Sequence, residues 1–301
     1  MYHLPVLLHD CIQGLNIKPD GIYVDVTFGG GGHSKEILKH LTTGKLIAFD
    51  QDEDAVKNSI DDARFTLVRQ NFRFLKNFLR AYNAIPVDGI LADLGVSSHQ
   101  FDSSERGFSI RFDSELDMRM DQNNHLSAAS VLNEYEENDL RKILREYGEV
   151  DNAGRLAKII CEQRAIQKIK TTAELIVLMQ KAGMKPGKEN QYKSQVFQAL
   201  RIEVNKELDA LKEFLKQVPE VLGEGGRLVV MSYHSLEDRL VKNFMRTGNL
   251  EGEVKKDFYG NLLSLFKQIT RKPIVPNEEE IKNNSRARSA KLRIAEKQEK
   301  K

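Results

Sequence analysis

Residues 21–34 read Gly-Ile-Tyr-Val-Asp-Val-Thr-Phe-Gly-Gly-Gly-Gly-His-Ser. An apolar run typical of a buried β-strand reaches Asp25 and gives way to four consecutive glycines, Gly29 to Gly32, before the helix-compatible residues 35–41. Because glycine lacks a Cβ atom, a ligand can reach the backbone N–H groups at the start of the helix, and a merely tight turn needs only one or two glycines. The stretch therefore predicts a strand, a ligand-binding loop and a helix.

The surrounding sequence extends this unit into an α/β fold. Short β-rich runs separated by segments of helical length predict βαβ units and a mostly parallel, doubly wound Rossmann-like sheet. These runs are residues 45–50, 65–70 and 87–94. A fifth run, residues 227–233, comes much later and follows a predicted helix whose apolar residues repeat from Val204 to Leu222. Gly223 is predicted to cap that helix.

The gap between the fourth and fifth strands has helical periodicity throughout. One of its helices opens with a capping box formed by Thr171 and Glu174. Roughly 80 residues exceed an ordinary crossover, and an insertion at the carboxyl ends of parallel strands lies where α/β proteins bind ligands. We therefore predict a helical substrate-recognition subdomain over residues 107–203, inserted between residues 1–106 and 204–301 of the sheet domain.

Composition is that of an ordinary globular protein. Of the 301 residues, 40% are hydrophobic and 30% are charged. No stretch approaches the ~18 apolar residues that a membrane span needs, and residues 1–9 lack the features of an export signal, so a cytoplasmic location is expected. The two cysteines, Cys11 and Cys161, are too few and too far apart for a disulfide framework or a metal cluster, and no metal is expected.

Positive charge is concentrated at the carboxyl end. Residues 282–301 hold eight Lys or Arg and two Glu, whereas the whole chain has a net charge of +2, so the preceding part is net negative. Such a segment is either a cationic arm that contacts a phosphate backbone or a solvated, partly disordered end. Charge alone favours neither interpretation.

A carboxylate at the end of the second strand reduces the number of ligand classes that the glycine loop could bind. Asp50 ends that strand about 20 residues after Gly29, the spacing at which α/β nucleotide-binding units place a carboxylate on ribose hydroxyls. The ligand is then a nicotinamide dinucleotide or S-adenosylmethionine. Ser34 stands where dinucleotide-binding loops have a third glycine, and Asp25 would sit poorly beside a pyrophosphate. Asp25 and Asp93, at the tips of strands one and four, favour the cofactor with the positive end, although helix capping is an alternative role.

Six further blocks extend along almost the whole chain. They are residues 93–98 (DLGVSS), 105–109 (ERGFS), 116–121 (LDMRMD), 197–205 (FQALRIEVN), 232–239 (SYHSLEDR) and 285–293 (SRARSAKLR). Together with the glycine loop, they resemble the bacterial ribosomal RNA small-subunit methyltransferase H family, also called MraW. Tyr233 and Asn284 stand where phenylalanine and proline are expected, and neither difference is expected to touch the chemistry.

The resemblance implies a class I, S-adenosylmethionine-dependent enzyme that methylates the exocyclic N4 of one cytidine in 16S rRNA, in the decoding region of the small ribosomal subunit. The implied partner is 16S rRNA, free or within the small subunit; a homodimer is compatible with the sequence. Family cofactor contacts fall on Gly31, Gly32, His33, Asp50, Phe72, Asp93 and Gln100. Phe72 would stack on the adenine or, alternatively, pack in the core.

The reaction itself places demands on the site. A cytosine amino group is a poor nucleophile because its lone pair is delocalised into the ring, so positioning must supply most of the catalysis. Acceptors for the amine hydrogens would favour a pyramidal, nucleophilic nitrogen. Asp93 and the carbonyl of Leu94 are the first candidates for this role, and His234 is a further catalytic candidate.

Stacking and phosphate-holding groups are needed around a flipped-out cytidine. Cations and rings interleave where the insertion begins, at Arg106, Phe108, Arg111, Phe112 and Arg119. Ser232, His234 and Glu237 follow the fifth strand and are assigned to the target-base pocket. The arginines could instead pair with nearby carboxylates in a structural network.

Three other classes of function are a hydrolase, an oxidoreductase and a non-catalytic RNA-binding protein. A hydrolase triad is disfavoured because residues 95–99 lack the closing glycine of a nucleophile elbow. An NAD(P)-dependent oxidoreductase is disfavoured by Asp25 and Ser34. A nucleotide-sensing RNA-binding protein without catalysis is excluded only by an assay.

Overall fold

The computed structural model describes residues 5–97, 100, 101, 106–254, 256, 258, 259 and 264–299. It divides the chain into two compact units, here called the sheet unit (Met1–Gly95 and Leu208–Lys301) and the helical unit (Val96–Glu207). The sequence predicted boundaries after residues 106 and 203. The first boundary lies earlier because Val96 packs against the apolar core of the helical unit.

The described part of the chain contains a seven-stranded sheet. Its strands are β1 (Ile22–Asp25), β2 (Lys45–Asp50), β3 (Phe65–Arg69), β4 (Val87–Asp93), β5 (Leu222–Ser232), β6 (Phe266–Gln268) and β7 (Lys291–Lys297). The spatial order is β3-β2-β1-β4-β5-β7-β6. The first five strands of this order are parallel, and β7 is antiparallel to both β5 and β6. A mostly parallel α/β sheet was the predicted class.

In the part of the chain that the structure describes, helices lie before, between and after these strands. They are α1 (Leu8–Leu15), α2 (Gly32–His40), α3 (Glu53–Val56), α4 (Leu75–Ala81), α5 (Ala128–Glu134), α6 (Glu137–Glu146), α7 (Ala153–Ile166), α8 (Thr172–Lys181), α9 (Glu189–Asn205), α10 (Glu207–Val221), α11 (Ser235–Thr247) and α12 (Glu278–Asn283). Helices α5 to α9 lie in the helical unit. Within the described ranges, none of the helices has the length and apolar character needed to cross a membrane.

The sheet is buried on both faces. Ile90 and Leu91, adjacent on β4, point to opposite faces and lie in separate apolar clusters, and both are completely inaccessible to solvent, as expected for parallel strands covered by helices on each side. The carboxyl ends of β1, β2, β4 and β5 share one edge of the sheet because these strands run in the same direction. Ligands bind at this edge in open α/β folds.

The helix before the fifth strand differs from the prediction at both ends. Val204 belongs to α9, and Lys206, in the left-handed conformation with φ 50°, separates α9 from α10. At the other end α10 stops at Val221, and Leu222 already pairs with Val87 of the neighbouring strand β4. Gly223 therefore lies inside β5 and does not cap the helix. Strand pairing, which the local sequence pattern does not report, sets this boundary.

The basic carboxyl end is part of the sheet unit. Residues 291–297 form β7 between β5 and β6. Arg293 on this strand is 5% exposed, and its guanidinium donates to the two carboxylate oxygens of Asp238 at 2.6 and 3.1 Å. Both sequence interpretations of this segment, a free cationic arm and a solvated end, are wrong for β7, because it supplies the backbone partner of two strands.

The helical unit has an apolar core of its own. Residues from each of the helices α5 to α9 are fully buried there, among them Leu132, Leu140, Leu156, Leu175 and Leu200. The predicted capping box is confirmed at the start of α8, where Thr171 and Glu174 each accept the other's backbone N–H, at 3.1 and 3.3 Å. The unit is thus a set of amphipathic helices packed around one core.

Candidate active site

The glycine loop runs from the end of β1 to the start of α2 and is fixed to the sheet by backbone hydrogen bonds. Phe28 N–H donates to the carbonyl of Phe49 on β2 at 2.9 Å. Gly31 precedes α2 with φ 75°, and a Cβ there would lie 2.9 Å from the Phe28 ring. At Gly32 a Cβ would lie 2.3 Å from the side chain of Pro5. These two glycines are therefore required by the packing of the loop as well as by access to its N–H groups.

Asp25, the last residue of β1, is hydrogen-bonded to residues on both sides of the glycines. Its side chain is 1% exposed and accepts hydrogen bonds from Ser34 Oγ at 2.7 Å and from Thr27 N–H at 3.1 Å. Burial raises the pKa of Asp25, and the hydrogen bonds from Ser34 and Thr27 oppose that shift. Its described hydrogen bonds thus lie within the loop and the first turn of α2, and its interaction with a positively charged cofactor stays a prediction.

Asp50 stands at the end of β2, beside the same loop. One carboxylate oxygen accepts the N–H of Gly29 at 2.8 Å and the other accepts the N–H of Asp52 at 2.8 Å. Burial raises the pKa of Asp50 to about 6, against the effect of these two hydrogen bonds. The loop and this carboxylate are therefore in direct contact, and the contact of Asp50 with a ribose stays a prediction.

Asp93, the last residue of β4, meets side chains from two other elements. Tyr233, just after β5, donates its hydroxyl hydrogen to Asp93 Oδ1 at 2.8 Å. His33 at the start of α2 lies with Nδ1 3.8 Å from Asp93 Oδ2. The Asp93 side chain is 24% exposed. Burial nevertheless raises its pKa to about 6, while His33 and Tyr233 lower it and Asp25 raises it further.

His33 connects Asp93 to the amino-terminal segment. Its ring is 6% exposed, and Nε2 lies 3.2 Å from the carbonyl of Val6. A carbonyl can only accept, so Nε2 carries a hydrogen. The N–H of the next residue, Leu7, donates to Glu280 on α12 at 2.7 Å. Burial lowers the pKa of His33, so its neutral form has an unprotonated Nδ1 facing Asp93.

The residues after β5 form a second small cluster. Glu237 is 3% exposed and accepts the backbone N–H of Tyr233 at 3.0 Å. His234 begins α11 as its N-cap, and its Nε2 lies 3.0 Å from Glu237 Oε1. Ser232 is 1% exposed, and its Oγ lies 3.5 Å from the carbonyl of Lys291 on β7. Ser232 and His234 are thus held by neighbours in the sheet unit.

Phe72 follows β3 in a short 3-10 helix, Phe72–Phe74. Its ring is half-buried and meets the edge of Phe214 on α10, with ring centroids 5.5 Å apart. This contact is the core packing that the sequence left as an alternative to stacking on adenine. Because part of the ring remains accessible, packing on one side does not remove the surface that stacking would use.

The predicted residues of the insertion belong to the helical unit. Arg106 is 8% exposed and donates to the carbonyls of Arg119 and Met120, while Phe108 is part of the buried core. Arg119 binds both oxygens of Asp117, at 2.6 and 2.9 Å. The structural network weighed from the sequence therefore exists for Arg119, and Arg106 donates to backbone carbonyl groups.

Three other residues of this unit have different surroundings. Gln100 is 5% exposed and accepts the N–H of Ser97 through Oε1 at 3.1 Å. Arg111 and Phe112, in contrast, have exposed side chains. Residues 98, 99 and 102–105, which include parts of two sequence blocks, lie outside the described residues.

The chain is similar to known proteins over almost its whole length. The MraW methylase family matches residues 1–298 of the chain. The chain belongs to this family. Proteins named ribosomal RNA small subunit methyltransferase H are similar to it over nearly their full length: one from Flavobacterium johnsoniae is 62% identical over 298 residues, covering 98% of each chain, and one from Bacteroides fragilis is 56% identical over 301 residues, covering 98% of this chain and 97% of the other.

Solved structures resemble this MraW family member less closely. A putative methyltransferase from Streptococcus mutans in complex with SAH matches with a TM-score of 0.44 and 14% identity, covering 99% of each chain. An rRNA methylase from Streptococcus thermophilus has a TM-score of 0.41 and 13% identity, covering 97% of this chain and 94% of that one. Such scores carry no weight in the assignment. The family match, together with the sheet order, confirms the predicted class I methyltransferase fold and its cofactor, S-adenosylmethionine.

Two sequence departures in this methylase turn out to make specific contacts. Tyr233 was expected to be neutral for the chemistry, yet its hydroxyl reaches Asp93. Asn284 accepts the N–H of Arg286 and so caps a short 3-10 helix, Ser285–Ser289. The sequence did contain a sign of this contact, because Tyr233 has a hydroxyl where phenylalanine is expected, one residue after the end of a strand. The partner could not be read from the sequence because it lies 140 residues away.

Proposed function

We propose that this methylase transfers a methyl group from S-adenosylmethionine to the exocyclic N4 of one cytidine in 16S rRNA, in the decoding region of the small ribosomal subunit. The relatives' names support an rRNA substrate. The observation that carries the chemistry is the placement of Asp93: a partly exposed carboxylate at the carboxyl end of β4, next to His33 in the first turn of α2. The remaining details rest on the resemblance of the motifs.

The residues present fit this cofactor. Gly31 and Gly32 put no side chain over the first N–H groups of α2, which a carboxylate of the ligand would use. Asp50 has both oxygens fixed by backbone N–H groups, and each oxygen keeps a lone pair for a ribose hydroxyl. Phe72 supplies a partly accessible ring for the adenine. S-adenosylmethionine supplies the methyl group as an electrophile, and the acidic strand ends suit its positive charge.

Asp93 is the proposed acceptor for the cytosine amine. A hydrogen bond from the amine to a carboxylate oxygen favours a pyramidal nitrogen whose lone pair points at the methyl carbon. As the N–C bond forms and the C–S bond breaks, the nitrogen gains positive charge, and it then loses a proton to Asp93. The carbonyl of Leu94 is the second proposed acceptor. With its pKa near 6, Asp93 is ionised at neutral pH and is a stronger base than an ordinary aspartate.

Target binding is proposed for residues of both units. In the sheet unit, Ser232 ends β5 and His234 lies two residues after it, and we retain both as contacts of the target base. In the helical unit, Arg111 and Phe112 have the exposed side chains that phosphate contact and base stacking require. Arg106, Phe108 and Arg119 already have partners inside the unit, so we propose that they shape the surface that presents Arg111 and Phe112.

The test is a transfer assay with product mapping. Purified protein is incubated with labelled S-adenosylmethionine and with either small-subunit RNA or small-subunit particles from cells lacking this methylase, and the modified nucleotide is identified by mass spectrometry. We expect N4-methylcytidine at one position, and the comparison of RNA with particles defines the substrate. Label on another nucleotide, on DNA or on nothing would contradict the proposal.

A binding measurement separates the remaining classes of function. Isothermal titration should show binding of S-adenosylhomocysteine and none of NAD, which excludes the oxidoreductase. A protein that binds S-adenosylhomocysteine and RNA but transfers no methyl group would be the non-catalytic sensor instead.

A further inference from the structure

Tyr233 makes a contact with Asp93 that the family assignment does not account for. Its ring packs against the apolar core around α1 and lies next to Gly95, where a Cβ would be 3.5 Å from ring atom Cδ2. Its backbone N–H is held by Glu237 at 3.0 Å. The phenol is therefore fixed by its own packing, and its hydroxyl is directed at Asp93 Oδ1 with a separation of 2.8 Å.

His33 cannot replace Tyr233 as a hydrogen-bond donor to Asp93 when its ring is neutral. The single ring hydrogen of neutral His33 is used by the carbonyl of Val6, so Nδ1 presents a lone pair to Asp93 Oδ2 across 3.8 Å. His33 can lower the pKa of Asp93 only when its ring is protonated, and burial disfavours that protonation. Within the described residues, the side-chain hydrogen bond that stabilises the ionised form of Asp93 comes from Tyr233.

The other titratable groups around Asp93 are mostly acidic. Asp25 on β1 and Glu237 on α11 both raise the pKa of Asp93, and its interaction with Cys11 on α1 raises the pKa of that thiol. His33 and Tyr233 act in the opposite direction. The Tyr233 hydroxyl thus lowers the pKa of Asp93, whereas burial and the two neighbouring carboxylates raise it.

We propose that Tyr233 is a positioning residue for methyl transfer: its hydroxyl fixes Oδ1 of Asp93 and leaves Oδ2 to receive the amine hydrogen. This inference rests on the proposed function of Asp93 as the acceptor. During the reaction the N–C bond forms, the C–S bond breaks and the amine proton passes to Asp93. Tyr233 keeps its own proton throughout, because burial and Asp93 raise its pKa well above the ordinary value.

The test is Tyr233→Phe, which retains the ring and removes the donor. We expect kcat at pH 7 to fall by roughly three- to tenfold with KM for S-adenosylmethionine changed by less than about twofold, because the variant loses a charge-assisted hydrogen bond. The acid limb of the pH–rate profile should move up by about half a unit to one unit, since the ionised form of Asp93 loses a stabilising donor.

Tyr135→Phe is the matched control. Tyr135, in the helical unit, donates its hydroxyl to Glu203 at 2.6 Å, so the same kind of tyrosine–carboxylate hydrogen bond is removed elsewhere. This variant should keep the wild-type acid limb even if it melts at a lower temperature. A purely structural role for Tyr233 would make the two variants alike, with lower melting temperatures and unchanged pH profiles, and would overturn the proposal.

A second measurement does not depend on activity. Aspartate labelled with ¹³C at the carboxyl carbon reports the titration of Asp93 by NMR, with the signal assigned by its disappearance in Asp93→Asn. We expect the Asp93 midpoint to rise in Tyr233→Phe. An unchanged midpoint overturns the inference even if methyl transfer is confirmed, whereas a raised midpoint in a protein that methylates no cytidine would leave the contact intact and reject the proposed function.

Discussion

In the sheet unit burial raises the pKa of Asp25, Asp50 and Asp93, whereas in the helical unit hydrogen bonds from backbone and side-chain donors lower the pKa of Asp113. The first three stand at or near the ends of buried parallel strands, where helices and loops exclude water. Asp113 is exposed and lies near the start of α8, accepting the N–H of Ala173 at 3.1 Å. Carboxylates whose burial lowers the stability of the fold are candidates for a functional role. Carboxylates whose hydrogen bonds stabilise the fold are candidates for a structural role.

Arginines in both units are paired with carboxylates or carbonyl groups. Arg119 in the helical unit is surrounded by Asp117 and by the carbonyls of Gln122 and Asn124. In the sheet unit, Arg293 is similarly committed to Asp238. Within the described residues, no Lys or Arg forms an ion pair with Asp50 or Asp93, and the basic side chain beside Asp93 is that of His33. The acidic strand ends therefore suit a ligand that brings its own positive charge.

The largest effect is expected from Asp93→Asn. The amide has nearly the same volume but cannot take up a proton, so methyl transfer to small-subunit RNA should fall by about 100-fold or more. Asp113→Asn, the control in the helical unit, should stay within about twofold of wild type because it alters an exposed group. Equal losses in the two variants would remove the functional distinction between the two classes of carboxylate.

The affinity for S-adenosylhomocysteine should depend on pH through Asp50. Its ionised form accepts the ribose hydroxyls, so binding measured by isothermal titration should weaken by about tenfold per unit as the pH falls below the pKa of about 6. Asp62→Asn should keep this slope, because the pKa of Asp62 beside Arg64 is only about 2. Asp50→Asn should bind more weakly and with a shallower slope. Constant wild-type affinity between pH 5 and 8 would show that Asp50 does not contact the ribose.

Removing a desolvated charge should stabilise the protein. The pKa of Asp93 is about 6 in the folded protein against 3.8 for the ordinary group. The folded state therefore binds the proton more tightly, and stability from this group is lost as the pH rises from about 4 to 6. Asp93→Asn should raise the free energy of unfolding at pH 7 by about 1–2 kcal/mol, allowing for partial exposure of the side chain. Denaturant unfolding at pH 7 and pH 4 measures this, and a gain that persisted at pH 4 would point to a cause other than charge.

The smallest effect is expected in the helical unit at Thr171. Thr171→Ala removes the side-chain cap of α8 and should cost about 1 kcal/mol, whereas Thr171→Ser keeps the hydroxyl and should cost little. Thermal unfolding of the two variants gives the comparison. Equal destabilisation would mean that the methyl group, and not the cap, matters at this position.

Much of the fold was predictable because it depends on near neighbours in the chain. The strand before the glycine loop, the carboxylate Asp50 and the capping box of α8 were all read from spacing and periodicity. The end of α10 was not, because pairing of Leu222 with Val87 competes with the helix. The position of β7 was missed for a related reason: the charge pattern suggested a cationic arm or a solvated end, whereas β7 pairs with β5 from Arg227 to Ser232.

The sequence by itself determined the βαβ order, the bare loop at the start of α2 and the carboxylates that end β1, β2 and β4, since each follows from residue size and from the period of side chains along a strand or helix. Only the tertiary structure decided which side chains meet. Asp93 contacts Tyr233, and His33 contacts Val6, because parallel strands bring their ends to one edge and the amino-terminal segment packs onto α2. Such contacts depend on strand order, which pairs residues far apart in the chain and leaves no local pattern at either partner.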